Sequence, residues 1–142
     1  MEIINRKARF NYYIEKEYDA GIVLTGTEIK SIRKGSANFN DAYITISKGE
    51  VYIVNMYIAR YEEGNINNHG ERRRRKLLLH KQEIIRMTND LKVQGYTYVP
   101  LKLYFKKGLA KVTIGLARGK KIYDKRETIK KRDLDRENRK KY

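Results

Sequence analysis

Residues 96–117 read YTYVPLKLYFKKGLAKVTIGLA, and they predict a β-hairpin turned at Lys106-Lys107-Gly108. On both sides of that turn, apolar side chains recur at every second position, which is the period of a half-buried strand. Pro100 cannot donate a backbone hydrogen bond, so it indicates either an edge strand or a bulge. The side chains expected to face the core are Thr97, Val99, Leu101, Leu103 and Phe105 in the first strand and Ala110, Val112, Ile114 and Leu116 in the second.

The other face of this hairpin is basic and includes an aromatic ring. Lys102, Tyr104 and Lys106 are expected outward on the first strand, and Lys111 and Thr113 on the second. Lysines bind phosphates and an aromatic ring stacks on a base, so the combination is typical of a nucleic-acid surface. A solvated strand face has a similar composition, and the hairpin alone leaves both interpretations open.

Two helices are predicted upstream of the hairpin. Residues 25–28, TGTE, have the form of a capping box, and Gly35 stands where a C-terminal cap belongs, which makes a helix of about two turns. A second helix is predicted from about Lys81 to Gln94, with Gly95 ending it. Its inner face would consist of Ile84, Met87 and Leu91.

Short strands account for most of the remaining sequence. Alternation predicts one strand at 18–24 and a strand pair at 42–46 and 51–54. Residues 62–70 predict a loop, which leads into five consecutive basic residues at 72–76; such runs are common and say little alone. The pattern predicts a mainly β fold, a closed antiparallel barrel of the oligonucleotide-binding type with two or three accessory helices.

The charge balance points to a polyanionic partner. The chain has 33 Lys and Arg against 17 Asp and Glu, a formal net charge of +16. A small soluble domain usually carries a net charge of magnitude about 2–8, so nucleic acid is the first candidate partner. No apolar run approaches the roughly 18 residues of a membrane span, so no membrane partner is expected.

The charge is unevenly divided between a body, residues 1–117, and a tail, residues 118–142. The body has 21 basic and 12 acidic side chains, and the tail has 12 and 5 in only 25 residues. The tail has few apolar residues, so it is expected to be disordered when free. Three acid-first pairs at i, i+4 would each support a helix by roughly 0.2–0.5 kcal/mol, which predicts a tail that becomes helical on its target. The pairs are Glu127 with Lys131, Asp135 with Arg139, and Glu137 with Lys141.

An enzyme is not favoured by the residues that usually perform catalysis. The chain has no cysteine and only two histidines, His69 and His80, which are too few ligands for a structural zinc site. Its glycines do not form a phosphate-binding loop. We therefore expect a binding protein with no catalytic residues, no metal and no cofactor.

Seven stretches along the chain form a recognisable series. In order, they are Asn5-Arg6-Lys7-Ala8-Arg9, Asp19-Ala20-Gly21, Gly26 to Ser31 with Arg33, Arg75 to His80, Pro100 to Phe105, Gly119-Lys120-Lys121, and Asp124-Lys125-Arg126. Together they resemble the SsrA-binding protein family, also called small protein B, the partner of transfer-messenger RNA. The resemblance implies an oligonucleotide-binding-type barrel with added helices. It also implies a cytoplasmic factor that acts as a monomer and carries the tRNA-like domain of transfer-messenger RNA to stalled ribosomes for trans-translation.

The resemblance also implies which residues act. In the body, it places RNA binding on Asp19, Leu78 and Lys111, to which the hairpin pattern adds Lys102 and Tyr104. In the tail, it implies a ribosome-binding segment in the decoding centre and empty messenger channel, against 16S rRNA. The segment's residues are Gly119, Lys120, Lys121, Asp124, Lys125 and Arg126. Tyr123 departs from the family pattern, in which some members have His, and is added because its ring can stack on a base. Elongation factor Tu is a further candidate partner. A structural ribosomal protein and a generic RNA-binding barrel remain alternatives.

Overall fold

The computed structural model describes residues 1–62 and 68–120. In these residues, three helices are distributed among nine strands. In chain order the elements are β1 (Glu2–Ile4), α1 (Arg6–Asn11), β2 (Tyr12–Ile22), α2 (Gly26–Arg33), β3 (Ala37–Asn38), β4 (Tyr43–Ser47), β5 (Glu50–Val54), β6 (Tyr57–Ile58), β7 (Arg75–Leu78), α3 (Lys81–Asp90), β8 (Tyr96–Lys106) and β9 (Leu109–Gly119).

Seven of these strands form one antiparallel sheet in the order β1-β8-β9-β2-β7-β5-β4, and β3 pairs with β6. The mainly β, antiparallel architecture predicted from the sequence is therefore confirmed. The hydrogen bonding among the described strands does not close into the predicted barrel. β4 lies close to β8 but does not bond to it, and β1 pairs with the edge of β8 at Lys102–Tyr104.

The predicted β8–β9 hairpin forms, and Pro100 lies at a bulge in it, in the part of β8 that pairs only with β9. The register shifts between Pro100 and Lys102, and a shift of one residue moves the following side chains to the other face of the strand. Leu103 accordingly packs in the main core, whereas Val99 and Leu101 pack in a second cluster with α1. The prediction that these three side chains share one face was wrong, because period-2 counting does not detect the extra residue.

Gly115 lets β9 pass beside this bulge. A Cβ at Gly115 would lie 2.8 Å from Ile14 Cγ2 and 3.0 Å from Leu101 Cδ1, closer than real Cβ contacts allow. The absence of a side chain there lets the second cluster pack against the sheet.

The predicted α2 is confirmed, together with its capping box. The Thr25 hydroxyl accepts a hydrogen bond from the Glu28 N–H, and the Glu28 carboxylate accepts one from the Thr25 N–H. α3 begins at Lys81 as predicted but ends at Asp90, four residues before the predicted end, because the Val93 N–H bonds to the Asp90 carbonyl in a turn. Neither α1, α2 nor α3 is long and apolar enough to cross a membrane.

The same Glu28 carboxylate is the centre of a buried ion cluster. Glu28 and Arg75 are both fully buried, and the Arg75 Nε and one Nη of Arg73 donate to the two carboxylate oxygens of Glu28. The remaining Arg75 donors bond to the carbonyls of Met56, Gly70 and Glu71 at 2.6–3.2 Å. Burial by itself would raise the pKa of the Glu28 carboxyl, but the hydrogen bonds from Arg73, Thr25 and Arg75 outweigh burial and hold the pKa below its usual value.

Candidate nucleic-acid interface

Antiparallel pairing brings the five predicted body residues onto one surface. We call the surface formed by Lys102, Tyr104, Lys111, Thr113, Asp19 and Leu78 the outer face; it is the side of β8, β9, β2 and β7 opposite the main core. In one row across the sheet, Tyr104 pairs with Lys111, Lys111 with Gly21, and Gly21 with Leu78. In the next row, Lys102 pairs with Thr113, and Thr113 with Asp19. Directly opposed side chains of this kind lie about 4.5–5.5 Å apart at Cβ, so the five residues are neighbours.

Hydrogen bonding fixes the acidic side chain of this face. Thr113 is only 5% exposed although it lies on the side away from the core, and its hydroxyl donates to Asp19 Oδ1 at 2.7 Å. Burial, and then the nearby Asp19 carboxylate, raise the pKa of Tyr104. Tyr104 therefore remains a neutral hydroxyl that can donate a hydrogen bond at physiological pH.

Lys102 and Lys111 supply the positive charge of the outer face. Lys102 Nζ lies 5.3 Å from the centre of the Tyr104 ring and 3.7 Å from the Glu2 carboxylate, so it is partly neutralised. Lys111 is half-buried, and within the described parts of the chain no carboxylate lies in ion-pair distance of its ammonium group. Lys111 is thus the better placed of the two to neutralise a phosphate.

Leu78 provides an apolar contact on this face rather than a core contact. Its side chain is 54% exposed, while the preceding residue, Leu77, is 1% exposed and packs in the core. Opposite Leu78, Gly21 has no side chain, and a Cβ built there would lie 3.4 Å from the Leu78 Cβ. The glycine leaves the Leu78 side chain accessible from the Lys111 side.

A shallow cleft lies at the centre of this arrangement. Its volume is about 270 Å³, and it is lined by Asp19, Leu78, Leu79, His80, Glu83 and Lys111. Sites that enclose a small molecule usually measure about 300–1,000 Å³, so this cleft fits one edge of a nucleotide better than a whole metabolite.

The two histidines have structural contacts. His69 is buried, with Nδ1 2.9 Å from the Thr27 hydroxyl and Nε2 3.0 Å from the Ile58 carbonyl. His80 precedes α3, and its backbone N–H donates to the Glu83 carboxylate at 3.0 Å. Across residues 1–62 and 68–120, no group of three or more His, Cys, Asp or Glu side chains is arranged to hold a metal ion.

The first residues assigned to the tail belong to the body. β9 continues to Gly119, and the Lys120 N–H donates to the Asn11 carbonyl at 2.9 Å. Lys120 Nζ bonds to the Arg9 carbonyl at 3.0 Å and lies 4.9 Å from the Tyr13 ring centre. The other predicted tail residues lie outside the described residues: Lys121, Tyr123, Asp124, Lys125 and Arg126.

The five consecutive basic residues at 72–76, to which the sequence alone assigns no role, make specific contacts in the structure. Arg72, Arg73 and Arg74 precede β7, which begins at Arg75. Arg73 and Arg75 reach Glu28, whereas Arg72 donates to the Asn55 carbonyl and Lys76 lies near Glu50. Arg74 lies 4.0 Å above the Tyr52 ring centre and Arg72 5.3 Å above that of Tyr57. These contacts join residues far apart in the sequence, so no local pattern in residues 72–76 indicates them.

Comparison with known proteins gives a consistent result. The family model described as SmpB protein matches residues 2–142. The chain is 56% identical to the SsrA-binding protein of Geobacillus thermodenitrificans, over 94% of this chain and 86% of the relative. It is 56% identical to the SsrA-binding protein of Staphylococcus aureus strain Newman, over 97% of this chain and 92% of the relative.

Solved structures include a similar chain. In the structure described as "tmRNA-SmpB: a journey to the center of the bacterial ribosome", a chain 49% identical to this one superposes with a TM-score of 0.72, and 85% of each chain is covered. The match along the sequence and the agreement of the folds lead to one conclusion: this chain belongs to the SmpB family.

Proposed function

We propose that the protein is an RNA-binding factor of trans-translation that binds transfer-messenger RNA and acts with it on stalled ribosomes. The observation that carries the proposal is the outer face. There, Tyr104, Lys111 and Leu78 lie in one row across four neighbouring strands, β8, β9, β2 and β7. Family membership identifies the RNA, because curated relatives are named SsrA-binding proteins and a similar structure is that of tmRNA–SmpB.

The outer face has the chemistry that a structured RNA requires. Lys111 and Lys102 would neutralise phosphates, and Leu78 would pack against the exposed face of an unstacked nucleotide. Asp19, held by Thr113, can accept a hydrogen bond from a base or a ribose hydroxyl. We propose the tRNA-like domain as the part of the RNA that is bound, as the family resemblance implies.

The tail would perform the ribosomal step. In β9, Lys111 and Gly119 are eight residue-to-residue steps apart, about 27 Å at 3.4 Å per step, so Lys111 and the start of the tail lie towards opposite ends of the strand. A protein bound to RNA at one end could therefore extend its tail elsewhere. We propose that Lys121, Tyr123, Asp124, Lys125 and Arg126 enter the empty messenger channel, where the net positive charge of the tail suits 16S rRNA.

The same proposal extends to the type of barrel, the absence of catalysis, the location in the cell and a further partner. The near approach of β4 to β8 supports an oligonucleotide-binding-type barrel whose closure is by packing rather than by hydrogen bonds. The protein would bind its RNA without catalysing a reaction, and it would act in the cytoplasm. Elongation factor Tu would join the complex through the RNA.

Titration of the transcribed tRNA-like domain with the full chain tests RNA binding. If about six phosphates are neutralised, the affinity should fall on the order of a thousandfold between 50 and 200 mM salt. Lys111→Ala should weaken binding about tenfold without changing the fold, because Lys111 lies outside the core. A flat salt profile, or full affinity in the Lys111 variant, would contradict binding through the outer face.

A reconstituted translation reaction on a message without a stop codon tests the ribosomal step. Truncation after Lys120 retains all of β9 and should preserve RNA binding while abolishing tagging. Alanine at Asp124, Lys125 and Arg126 together should have the same result. A chain with a scrambled tail of equal charge serves as the control; full tagging by that chain would reduce the role of the tail to electrostatics.

A further inference from the structure

Arg74 is an exposed cation whose position is fixed by its neighbours. Its guanidinium lies 4.0 Å from the centre of the Tyr52 ring. The Tyr52 hydroxyl donates to the Glu50 carboxylate, which restricts the ring beneath the guanidinium. A stacked guanidinium has lost part of its conformational freedom before any ligand arrives, so less entropy is lost when it forms hydrogen bonds.

No group in the described part of the chain bonds to this guanidinium. Within residues 1–62 and 68–120, Arg74 makes neither a side-chain hydrogen bond nor an ion pair. The other basic side chains of the run do have such partners. Arg72 donates to the Asn55 carbonyl at 3.1 Å, Arg73 and Arg75 bond to Glu28, and Lys76 lies 3.4 Å from Glu50.

The position of Arg74 extends the outer face instead of forming a separate patch. Lys76 pairs with Tyr52 across β7 and β5, and Lys76 and Leu78 lie on the same side of β7, because side chains of a strand alternate. From β8 to β5 there are four strand-to-strand spacings of about 4.8 Å, so the combined surface is roughly 19 Å wide. One RNA backbone that contacts Lys111 can therefore continue across β7 to Arg74.

We propose that Arg74, held on Tyr52, is a second phosphate-binding residue for the RNA that binds the outer face. The proposal rests on the proposed function and adds a residue and a ligand group to it. A phosphate is the ligand because stacking occupies a face of the guanidinium and leaves its edge, where two parallel N–H groups match two phosphate oxygens. One face of the Tyr52 ring is covered by the guanidinium, which disfavours base stacking as the role of that ring.

The test is a titration of the transcribed tRNA-like domain of transfer-messenger RNA at salt concentrations from 50 to 200 mM. Arg74→Ala should weaken binding about tenfold and reduce the slope of log affinity against log salt by about one. Arg74→Lys retains the charge but loses the planar edge, and it should weaken binding at least about threefold. Lys92→Ala removes an exposed charge beyond the end of α3 and should remain within about twofold of the parent chain.

Two variants of Tyr52 test the stacking. Tyr52→Phe keeps the ring and should stay within about twofold, whereas Tyr52→Leu removes the ring and should weaken binding as much as Arg74→Lys does. Thermal unfolding of each variant checks the fold. If Arg74→Lys or Tyr52→Leu bound RNA as tightly as the parent chain, the stacking of Arg74 on Tyr52 would have no part in binding. If Arg74→Ala bound RNA as tightly as the parent chain, Arg74 would not contact a phosphate at all.

Lys111→Ala in the same titration separates this inference from the proposed function. If Lys111→Ala weakens binding and Arg74→Ala does not, only the second contact is wrong. If neither variant weakens binding, the RNA lies elsewhere on the protein, and both proposals fail.

Discussion

Two pairs of arginines that alternate along residues 72–75 have opposite environments. Arg75 is fully buried and uses its donors on Glu28 and on backbone carbonyls, and Arg73 reaches the same carboxylate. Arg72 and Arg74, one residue away in each case, are exposed and stack on tyrosines. One run of identical side chains thus contains arginines directed at a buried carboxylate and exposed arginines stacked on tyrosines.

The comparison shows why charge alone does not locate a binding surface. A buried arginine is stable only when it is paired, and a partner that is removed leaves an uncompensated charge in a medium of low dielectric constant. An exposed arginine contributes little to stability, so its hydrogen-bonding groups remain for a ligand. Arg75 joins β7 to Glu28, whereas Arg74, which bonds to no group among the described residues, is the residue proposed above to contact RNA.

Loss of the buried carboxylate should have the largest effect on stability. Glu28→Gln leaves Arg75 buried without an anion, and the free energy of unfolding should fall by about 3–5 kcal/mol. Urea unfolding measures the change. Glu17→Gln is the control, because the Glu17–Arg9 pair is about half exposed and should matter far less. If Glu28→Gln were no less stable than the control, the buried ion cluster would not be what holds β7.

Neighbouring leucines of β7 should separate stability from binding. Leu77 is 1% exposed, so Leu77→Ala should cost about 2–5 kcal/mol of unfolding free energy. Leu78 is 54% exposed, so Leu78→Ala should change stability by about 0.5 kcal/mol or less and should weaken RNA binding severalfold. Unfolding curves and RNA titrations of the two variants measure both quantities. A large loss of stability in Leu78→Ala would return that residue to the core.

The buried ion cluster should also make stability depend on pH in the acid range. The pKa of Glu28 is lowered in the folded chain from an ordinary value of 4.5, so the folded state favours the ionised carboxylate. The stabilisation is fully present above pH 4.5 and is lost as the pH falls from there through the lowered pKa. Glu28→Gln should therefore lose stability less steeply than the parent chain below pH 4.5. Parallel slopes for the two chains in urea unfolding would show that other carboxylates dominate.

Local patterns allowed the prediction of much of this fold, but not of its long-range parts. The β8–β9 hairpin and α2 were predictable because turn residues and a capping box act within a few positions. β7 was missed because Arg75, which points inward, is a polar residue and breaks the apolar alternation of a strand. The Glu28 carboxylate that neutralises it lies 47 positions away in the sequence. β1 was missed because a three-residue strand is defined only by its partner β8.

The residues of the candidate site also fall into two groups, those predictable from a local pattern and those that depend on long-range strand pairing. Lys102, Tyr104 and Lys111 were predicted from alternation in the hairpin, because successive side chains of a strand point to opposite faces. Asp19 and Leu78 came from the family resemblance, and their place beside Lys111 depends on the register of β2 with β9 and β7, which no short pattern encodes. Arg74 needed the structure, because its stacking on Tyr52 joins two strands.

Thr113 offers the smallest and most specific test of how the outer face is ordered. Thr113→Val keeps the shape of the side chain and removes the hydroxyl that donates to Asp19 Oδ1. Because Thr113 is 5% exposed and the replacement is apolar, the free energy of unfolding should fall by only about 1 kcal/mol. Asp19, no longer fixed by Thr113, should lose its preferred orientation, and RNA affinity should fall about threefold at constant salt slope. Thr113→Ser restores the hydroxyl and should recover the affinity; unchanged affinity in Thr113→Val would show that the orientation of Asp19 plays no part in RNA binding.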